Sequence, residues 1–143
     1  MTDSDSNTAL PAILTEQIRE LCRLGYSAYD AGDFKLAIRR FFEAWTRLPK
    51  PQTQWVESGW VLTALGDAYF AKGNYDNGRE ALQSAVHCPQ TGNNPFVHLR
   101  LGQCLFETGD VEGARRAFQE VLHHGGGALL EAEHAKYRGC LND

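Results

Sequence analysis

The sequence predicts an all-α fold of three consecutive pairs of antiparallel helices, followed by a single closing helix. Three observations support this prediction. Segments that begin at Leu21, Leu62 and His98 align with one another, which indicates a repeated structural unit. Each segment has the apolar spacing of two helices separated by a glycine turn. Prolines fall between the segments and not inside them, as expected where helices end.

The repeat is defined by six positions that recur in each segment. A Leu-Gly pair lies in the first helix, a second glycine comes seven residues after the first, and an Asp or Asn follows it directly. The second helix then carries a small residue and, four positions later, a bulky one. The three sets are Leu24, Gly25, Gly32, Asp33, Ala37 and Phe41; Leu65, Gly66, Gly73, Asn74, Gly78 and Leu82; and Leu101, Gly102, Gly109, Asp110, Ala114 and Phe118.

Each of these positions has a predicted physical role. The first glycine lets the two helices of a pair approach closely, because a side chain there would hold them apart. The second glycine ends the first helix in the left-handed conformation, which glycine adopts at low cost. The Asp or Asn is suited to cap the second helix by accepting hydrogen bonds from backbone N–H groups. We expect the small and bulky residues to interlock with the helices of the next repeat.

The first half of the chain is predicted to contain two lengthened helices. Residues 1–10 are predicted to form a disordered tail, and residues 11–30 the first helix. Pro49 and Pro51 end the first repeat, since a proline inside a helix costs about 3 kcal/mol. Because proline is tolerated at the start of a helix, residues 52–71 are predicted to form one long helix.

The second half begins with a clear helix start and ends with a predicted cap. Asn94 and Pro95 are predicted to be the N-cap and first residue of the third repeat. The glycine run at 125–127 interrupts the chain. Residues 128–141 are then predicted to form a helix that covers the open end of the stack, because a terminal repeat cannot bury both faces. The predicted single domain spans residues 11–143, with repeats at about 18–51, 52–92 and 95–124.

Composition and charge limit the classes of partner. The 143 residues carry a net charge of −4, so no general attraction to nucleic acid or anionic lipid is expected. No apolar run approaches the roughly 18 residues of a membrane span, and the polar start lacks the order of a signal peptide. Scattered cysteines at 22, 88, 104 and 140 fit reduced thiols. We expect a cytoplasmic protein that binds no nucleic acid, membrane or small-molecule substrate.

Catalytic and metal-binding motifs are not evident in the sequence. No nucleophile motif of the GxSxG type and no phosphate-binding loop is present, so we expect no enzyme activity and no cofactor. A zinc site from His87, Cys88, His123 and His124 is conceivable, but these residues lack the spaced ligand pairs of zinc sites. We therefore expect no metal, and a packing role for His98.

The recurring positions resemble those of the tetratricopeptide repeat (TPR), and the resemblance covers about residues 18–124. It implies a right-handed superhelix of three repeats, in which the first helix of each pair lines a concave groove. Six of the thirteen residues at the groove positions are aromatic, which is typical of protein–protein interaction hot spots. These positions are Arg19, Cys22, Tyr26, Tyr29, Trp60, Thr63, Asp67, Phe70, Phe96, Leu99, Arg100, Gln103 and Phe106.

Two interpretations of this groove remain open. In the first, the groove side chains are free and bind another protein. In the second, Tyr29, Phe70 and Phe106, and with them Tyr26, Trp60 and Phe96, pack against adjacent repeats. The exposed face opposite the groove, with Phe42, Trp45 and Arg47, is a further docking candidate, and self-association through the groove is also open.

The resemblance also excludes one kind of partner. TPR domains that bind chaperone tails hold a C-terminal carboxylate with Lys, Asn and Arg side chains. The matching positions here are Cys22, Tyr26, Asp67, Phe96 and Arg100, of which only Arg100 suits a carboxylate. We therefore expect a partner that presents apolar side chains and a basic group opposite Asp67.

Two local resemblances suggest a biological role. The opening of the third repeat at residues 92–110, together with residues 66–76 of the second, resembles short stand-alone bacterial TPR proteins encoded beside secreted or polymorphic toxins. This resemblance implies an immunity protein that inhibits a cognate toxin. The chain also resembles type III secretion chaperones, which implies a client segment held in the groove. Its repeat spacings of 41 and 36 residues depart from the regular spacing of those chaperones. A general TPR scaffold is the third possibility.

Overall fold

The chain forms three antiparallel helix pairs, stacked in order along the chain, with a C-terminal segment on the last pair. The structure is a computed structural model and describes residues 9–142; residues 1–8, most of the predicted tail, lie outside them. Each helix packs against the preceding and following helix of the stack, and the first helices of neighbouring pairs also touch. The six helices are α1 (Ala12–Asp30), α2 (Phe34–Thr46), α3 (Val56–Lys72), α4 (Tyr75–Ala85), α5 (Pro95–Glu107) and α6 (Val111–His123).

The Leu-Gly positions bring the two helices of each pair together as predicted. A Cβ atom placed on Gly66 would lie 2.3 Å from Leu82 Cγ, and one on Gly102 would lie 2.5 Å from a ring carbon of Phe118. The bulky residue therefore packs onto the glycine of its own pair, which corrects the expectation that it interlocks with the next repeat. The small residue does face the next repeat, since a Cβ on Gly78 would lie 2.8 Å from Cys104 Sγ.

The turn glycines and two of the three predicted caps are confirmed. Asp33 accepts a hydrogen bond from the N–H of Leu36, and Asp110 accepts one from the N–H of Gly113. Asn74 makes no such side-chain bond, so the predicted capping role is wrong there. The turn glycines have positive φ angles of 81°, 89° and 94° at Gly32, Gly73 and Gly109, respectively.

The second repeat starts later than predicted. Residues 52–54 form a short 3-10 turn, and Trp55 is extended at φ −104° and ψ 153°, so α3 begins at Val56. Two hydrogen bonds stabilise the non-helical backbone before α3. The indole Nε1 of Trp55 donates to the carbonyl of Pro49 at 2.9 Å, and the hydroxyl of Ser58 donates to the carbonyl of Gln52. The third repeat starts as predicted, because Asn94 accepts from the N–H of Phe96 with Pro95 in the first turn.

The predicted closing helix is broken into three short pieces. They are α7 (Gly127–Glu131), α8 (Ala135–Arg138) and a 3-10 turn at Gly139–Asn142. The break falls at His134, whose ψ of 141° is not helical and whose side chain caps α8. These pieces pack on α5 and α6, so the segment covers the end of the stack as expected.

The hydrophobic core runs through all three pairs. Its fully buried side chains include Ile18, Phe41, Leu82 and Phe118. Leu10, which the sequence analysis assigned to the tail, is also buried, because it packs against this core. Among the described helices, none combines the length and apolar character needed to cross a membrane.

Candidate partner-binding groove

The polar centre of the predicted groove is an ion pair between neighbouring repeats. Asp67 on α3 is 5% exposed, and its Oδ1 accepts a hydrogen bond from Arg100 Nε on α5 at 2.9 Å. The same oxygen accepts a hydrogen bond from the Tyr29 hydroxyl on α1 at 3.0 Å. The sequence predicts a basic group of the partner opposite Asp67. Arg100 of the same chain already provides that group.

Arg100 is held between two aromatic rings. Its guanidinium carbon lies 4.9 Å from the ring centre of Phe70 and 4.8 Å from that of Phe96, which are cation–π distances. Burial alone lowers the pKa of Arg100, but the Asp67 carboxylate beside it raises that pKa overall. The guanidinium is therefore charged and already paired within the chain, so Phe70 and Phe96 each have one face covered by it.

The third repeat continues this network toward the C-terminal segment. Gln103 Oε1 accepts from Arg100 Nη1 at 2.7 Å, and Gln103 Nε2 donates to Glu133. Gln103 and its predicted groove neighbour Leu99 are both buried. These two residues were predicted to contact a partner. They lie instead inside the molecule, because Glu133 and the apolar core already cover them.

The C-terminal segment also covers the last groove position, Phe106. The rings of Phe106 and Tyr137 meet edge to face at 5.4 Å. Glu107 accepts a hydrogen bond from the Tyr137 hydroxyl at 2.7 Å and pairs with Lys136 at 2.6 Å. The hydrogen bonds from Lys136 and Tyr137 lower the pKa of Glu107. Phe106 therefore packs against the C-terminal segment.

The groove stays open between the first and second repeats. Trp60 is 38% exposed, and its ring lies 5.1 Å from the guanidinium carbon of the exposed Arg19. Tyr26 is half-buried, with its ring edge to face on Phe41 at 4.9 Å. A cleft of about 320 Å³, which we call the Trp60 cleft, is lined by Tyr26, Val56, Gly59, Trp60, Thr63, Gln90, Thr91 and Asn94.

One wall of the Trp60 cleft was not predicted from the sequence. The loop between α4 and α5 folds back onto α3, and a Cβ atom on Gly59 would lie 1.8 Å from Thr91 Oγ1. Gln90, Thr91 and Asn94 of this loop thereby reach the cleft. A glycine in a helix interior costs about 1 kcal/mol relative to alanine, so Gly59 was a sequence signal of close backbone approach.

The aromatic and polar side chains that line the Trp60 cleft suit the binding of an apolar ligand group. Its walls combine aromatic faces with hydroxyl and amide groups, a composition that fixes the orientation of an apolar ligand. Burial raises the pKa of Tyr26, and it raises that of the nearby Cys22 thiol to about 11. Both groups are therefore neutral at physiological pH, and Cys22 is a poor nucleophile.

Residues 63–128 match the sequence model of the tetratricopeptide repeat family. This stretch holds most of the second helix pair, the whole third helix pair and the start of the C-terminal segment. This match and the glycine contacts inside each helix pair identify the fold. The fold is that of the TPR. No curated protein matches the chain in sequence.

Solved TPR structures resemble the whole stack. The type III secretion chaperone SycD of Yersinia enterocolitica, in complex with a peptide of the translocator YopD, has a TM-score of 0.70 at 14% identity and covers 89% of this chain and 91% of its own. PcrH from Pseudomonas aeruginosa has a TM-score of 0.68 at 18% identity, covering 94% of each chain. The Sgt2 TPR domain from Aspergillus fumigatus has a TM-score of 0.68 at 19% identity, covering 96% of this chain and 79% of its own. At such identities the likeness shows the fold alone.

Proposed function

We propose that this chain is a non-catalytic interaction module that holds an extended segment of a partner protein in the Trp60 cleft. The observation that carries this proposal is the contrast within the groove. The half formed by the second and third repeats is filled by the chain's own side chains, centred on Arg100. The half formed by the first and second repeats keeps an exposed tryptophan beside an open cleft.

The dimensions of the cleft favour side chains of a longer polypeptide. Its volume of about 320 Å³ lies at the lower end of ligand pockets, which span about 300–1,000 Å³. An apolar side chain of the partner would stack on Trp60, and Thr63 and Asn94 would supply polar contacts to its backbone. Tryptophan is among the residue types enriched at the hot spots of protein interfaces.

The solved neighbours support a chaperone-like form of this proposal. Two of them are bacterial proteins with similar folds over about nine-tenths of the chain, and one of those is a chaperone bound to a peptide of its translocator. The immunity role implied by the sequence resemblance has no corresponding support and stays a prediction. Cell-based experiments distinguish the two roles. A client of a chaperone becomes insoluble without it, whereas an immunity protein restores growth to cells that express its toxin.

A peptide selection tests the binding mode directly. Random peptides displayed on phage are selected on the intact chain and counter-selected on the support without protein. The enriched sequences are expected to share an aromatic or aliphatic anchor and to shift the amide NMR signals of Tyr26, Trp60 and Thr63. Peptides that shift only signals of α2, on the other side of the first pair, would place binding elsewhere and contradict the proposal.

A further inference from the structure

A cluster of metal-ligating side chains lies on the third repeat, outside the Trp60 cleft. His98 comes from α5, Glu120 from α6, and His124 directly follows α6. Each offers one ligand atom, and these three atoms lie within 4.8 Å of one another. The sequence predicts no metal site, and the zinc set considered and set aside there, His87, Cys88, His123 and His124, shares only His124 with this cluster.

One ring nitrogen of His98 is held by a backbone hydrogen bond. His98 is 8% exposed, and its Nε2 lies 2.6 Å from the carbonyl oxygen of Gly92. A carbonyl only accepts hydrogen bonds, so Nε2 is the donor and Nδ1 is the nitrogen left for a ligand. Protein histidines that bind metals are commonly oriented in this way, with one nitrogen donating to a backbone carbonyl.

The other two side chains come from one face of the last helical turn. Glu120 and His124 are four residues apart, a spacing that places side chains side by side on a helix. His124 Nε2 lies 3.2 Å from a carboxylate oxygen of Glu120, and the two side chains are 22% and 50% exposed, respectively. The His98 and His124 rings are nearly parallel, with centres 5.5 Å apart. Because His124 and Glu120 are partly exposed, solvent reaches the cluster.

We propose that His98, Glu120 and His124 bind a first-row divalent cation such as Zn²⁺. Two imidazoles and one carboxylate form a donor set that suits these ions. Zinc–ligand bonds of about 2.0–2.2 Å require the three donor atoms to approach to about 3.3 Å. To reach this spacing, the partly exposed His124 ring would tilt out of its parallel stack with His98, and the exposed Glu120 side chain would rotate toward it. Water would complete the coordination.

A bound cation would connect three parts of the third repeat. It would join α5 to the end of α6. Through the His98–Gly92 hydrogen bond it would also order the loop that carries Thr91 into the Trp60 cleft. Without a cation, Glu120 and His124 form an ordinary side-chain contact between residues four apart. The experiment must separate these two states.

The test uses the tag-free chain, dialysed against chelator, with Zn²⁺ alone and Co²⁺ alone as probes. Competition with a chromophoric chelator is expected to give saturable binding of one Zn²⁺ per chain in the micromolar range. Co²⁺ is expected to give a visible absorption band. Glu120→Gln and His124→Gln should each weaken binding at least about tenfold, because each removes one of three ligands. The adjacent, exposed His123→Gln is the matched control and should bind as the unaltered chain does.

Three results would overturn the proposal. The first is binding that does not saturate. The second is equal affinity in Glu120→Gln, His124→Gln and His123→Gln. The third is a loss of affinity only in His123→Gln. The circular dichroism spectra of all variants are recorded first, and Glu120→Gln is the decisive variant because its exposed side chain contributes least to packing.

Discussion

Asp67 and Arg100, 33 residues apart in the chain, are joined by a 2.9 Å hydrogen bond between the carboxylate and the guanidinium Nε. The bond links the first helix of the second repeat to that of the third. Both side chains are largely withdrawn from solvent. At the positions where a TPR groove is open to a partner, this chain instead places an internal ion pair. This ion pair divides the groove into a closed half and an open half.

The ion pair is expected to stabilise the stack. Arg100→Leu leaves the Asp67 carboxylate buried without its cation, and breaking a buried pair in this way typically costs about 3–5 kcal/mol. We expect a loss of that order in the free energy of unfolding, measured by urea denaturation. The double variant Asp67→Asn with Arg100→Leu should recover much of the loss, because no charge is then left unpaired. Equal stability of Arg100→Leu and the unaltered chain would show that the pair has no structural role.

The glycines inside the helix pairs should tolerate no side chain. In Gly66→Ala the new methyl group would lie 2.3 Å from Leu82 Cγ, so the pair must separate or Leu82 must move. Overpacking of this kind costs about 1–3 kcal/mol. Gly139→Ala is the control, since nothing lies within 4 Å of its Cβ and its φ of −60° suits any residue. The two melting temperatures should differ clearly, and similar values would contradict the described packing.

The contacts that Glu107 makes with the C-terminal segment should stabilise the chain less in acid. Hydrogen bonds from Lys136 and Tyr137 lower the pKa of Glu107 from its ordinary value of 4.5. The contribution of a group with a lowered folded pKa is fully present above its unfolded pKa and disappears as the pH falls through the folded one. The stability supplied by this contact is therefore expected to be constant near neutral pH and to be lost below pH 4.5.

Glu107→Gln tests this directly. The variant should be less stable than the unaltered chain at pH 7, and the difference should shrink as the pH falls below about 4.5. Glu16→Gln, which removes an exposed carboxylate of α1, controls for the change in net charge. A stability difference that stays constant from pH 7 to acid would mean that Glu107 acts through packing and not through its charge.

The repeated pattern made most of the fold predictable, because local chemistry sets it. The turn glycines, the Asn94 cap and the Leu-Gly contacts follow from residues close in sequence. The break at Trp55 was not predictable, since it depends on a hydrogen bond from the indole to Pro49. The break at His134 was also missed. No proline or glycine marks it, and contacts of Glu133 and Tyr137 with α5 accompany it.

The candidate site was only partly predictable for the same reason. The register gave the inward-facing positions, including Tyr26, Trp60 and Thr63, which line the open cleft. It gave no information on which charges pair with each other, so the neutralisation of Asp67 by Arg100 was missed. Burial of Leu99 and Gln103 depends on the C-terminal segment and the core, which the local pattern does not describe.

The most direct test of the proposed function compares two exposed aromatic residues, one that lines the Trp60 cleft and one that does not. A fluorescein-labelled peptide from the display selection is titrated with the unaltered chain, Trp60→Ala and Phe42→Ala; Phe42 is 51% exposed on α2. Because a hot-spot tryptophan contributes about 2 kcal/mol or more, Trp60→Ala should raise the Kd at least about tenfold while its helical circular dichroism is kept, and Phe42→Ala should leave it unchanged. An unchanged Kd for Trp60→Ala, or a larger effect of Phe42→Ala, would contradict binding in the Trp60 cleft.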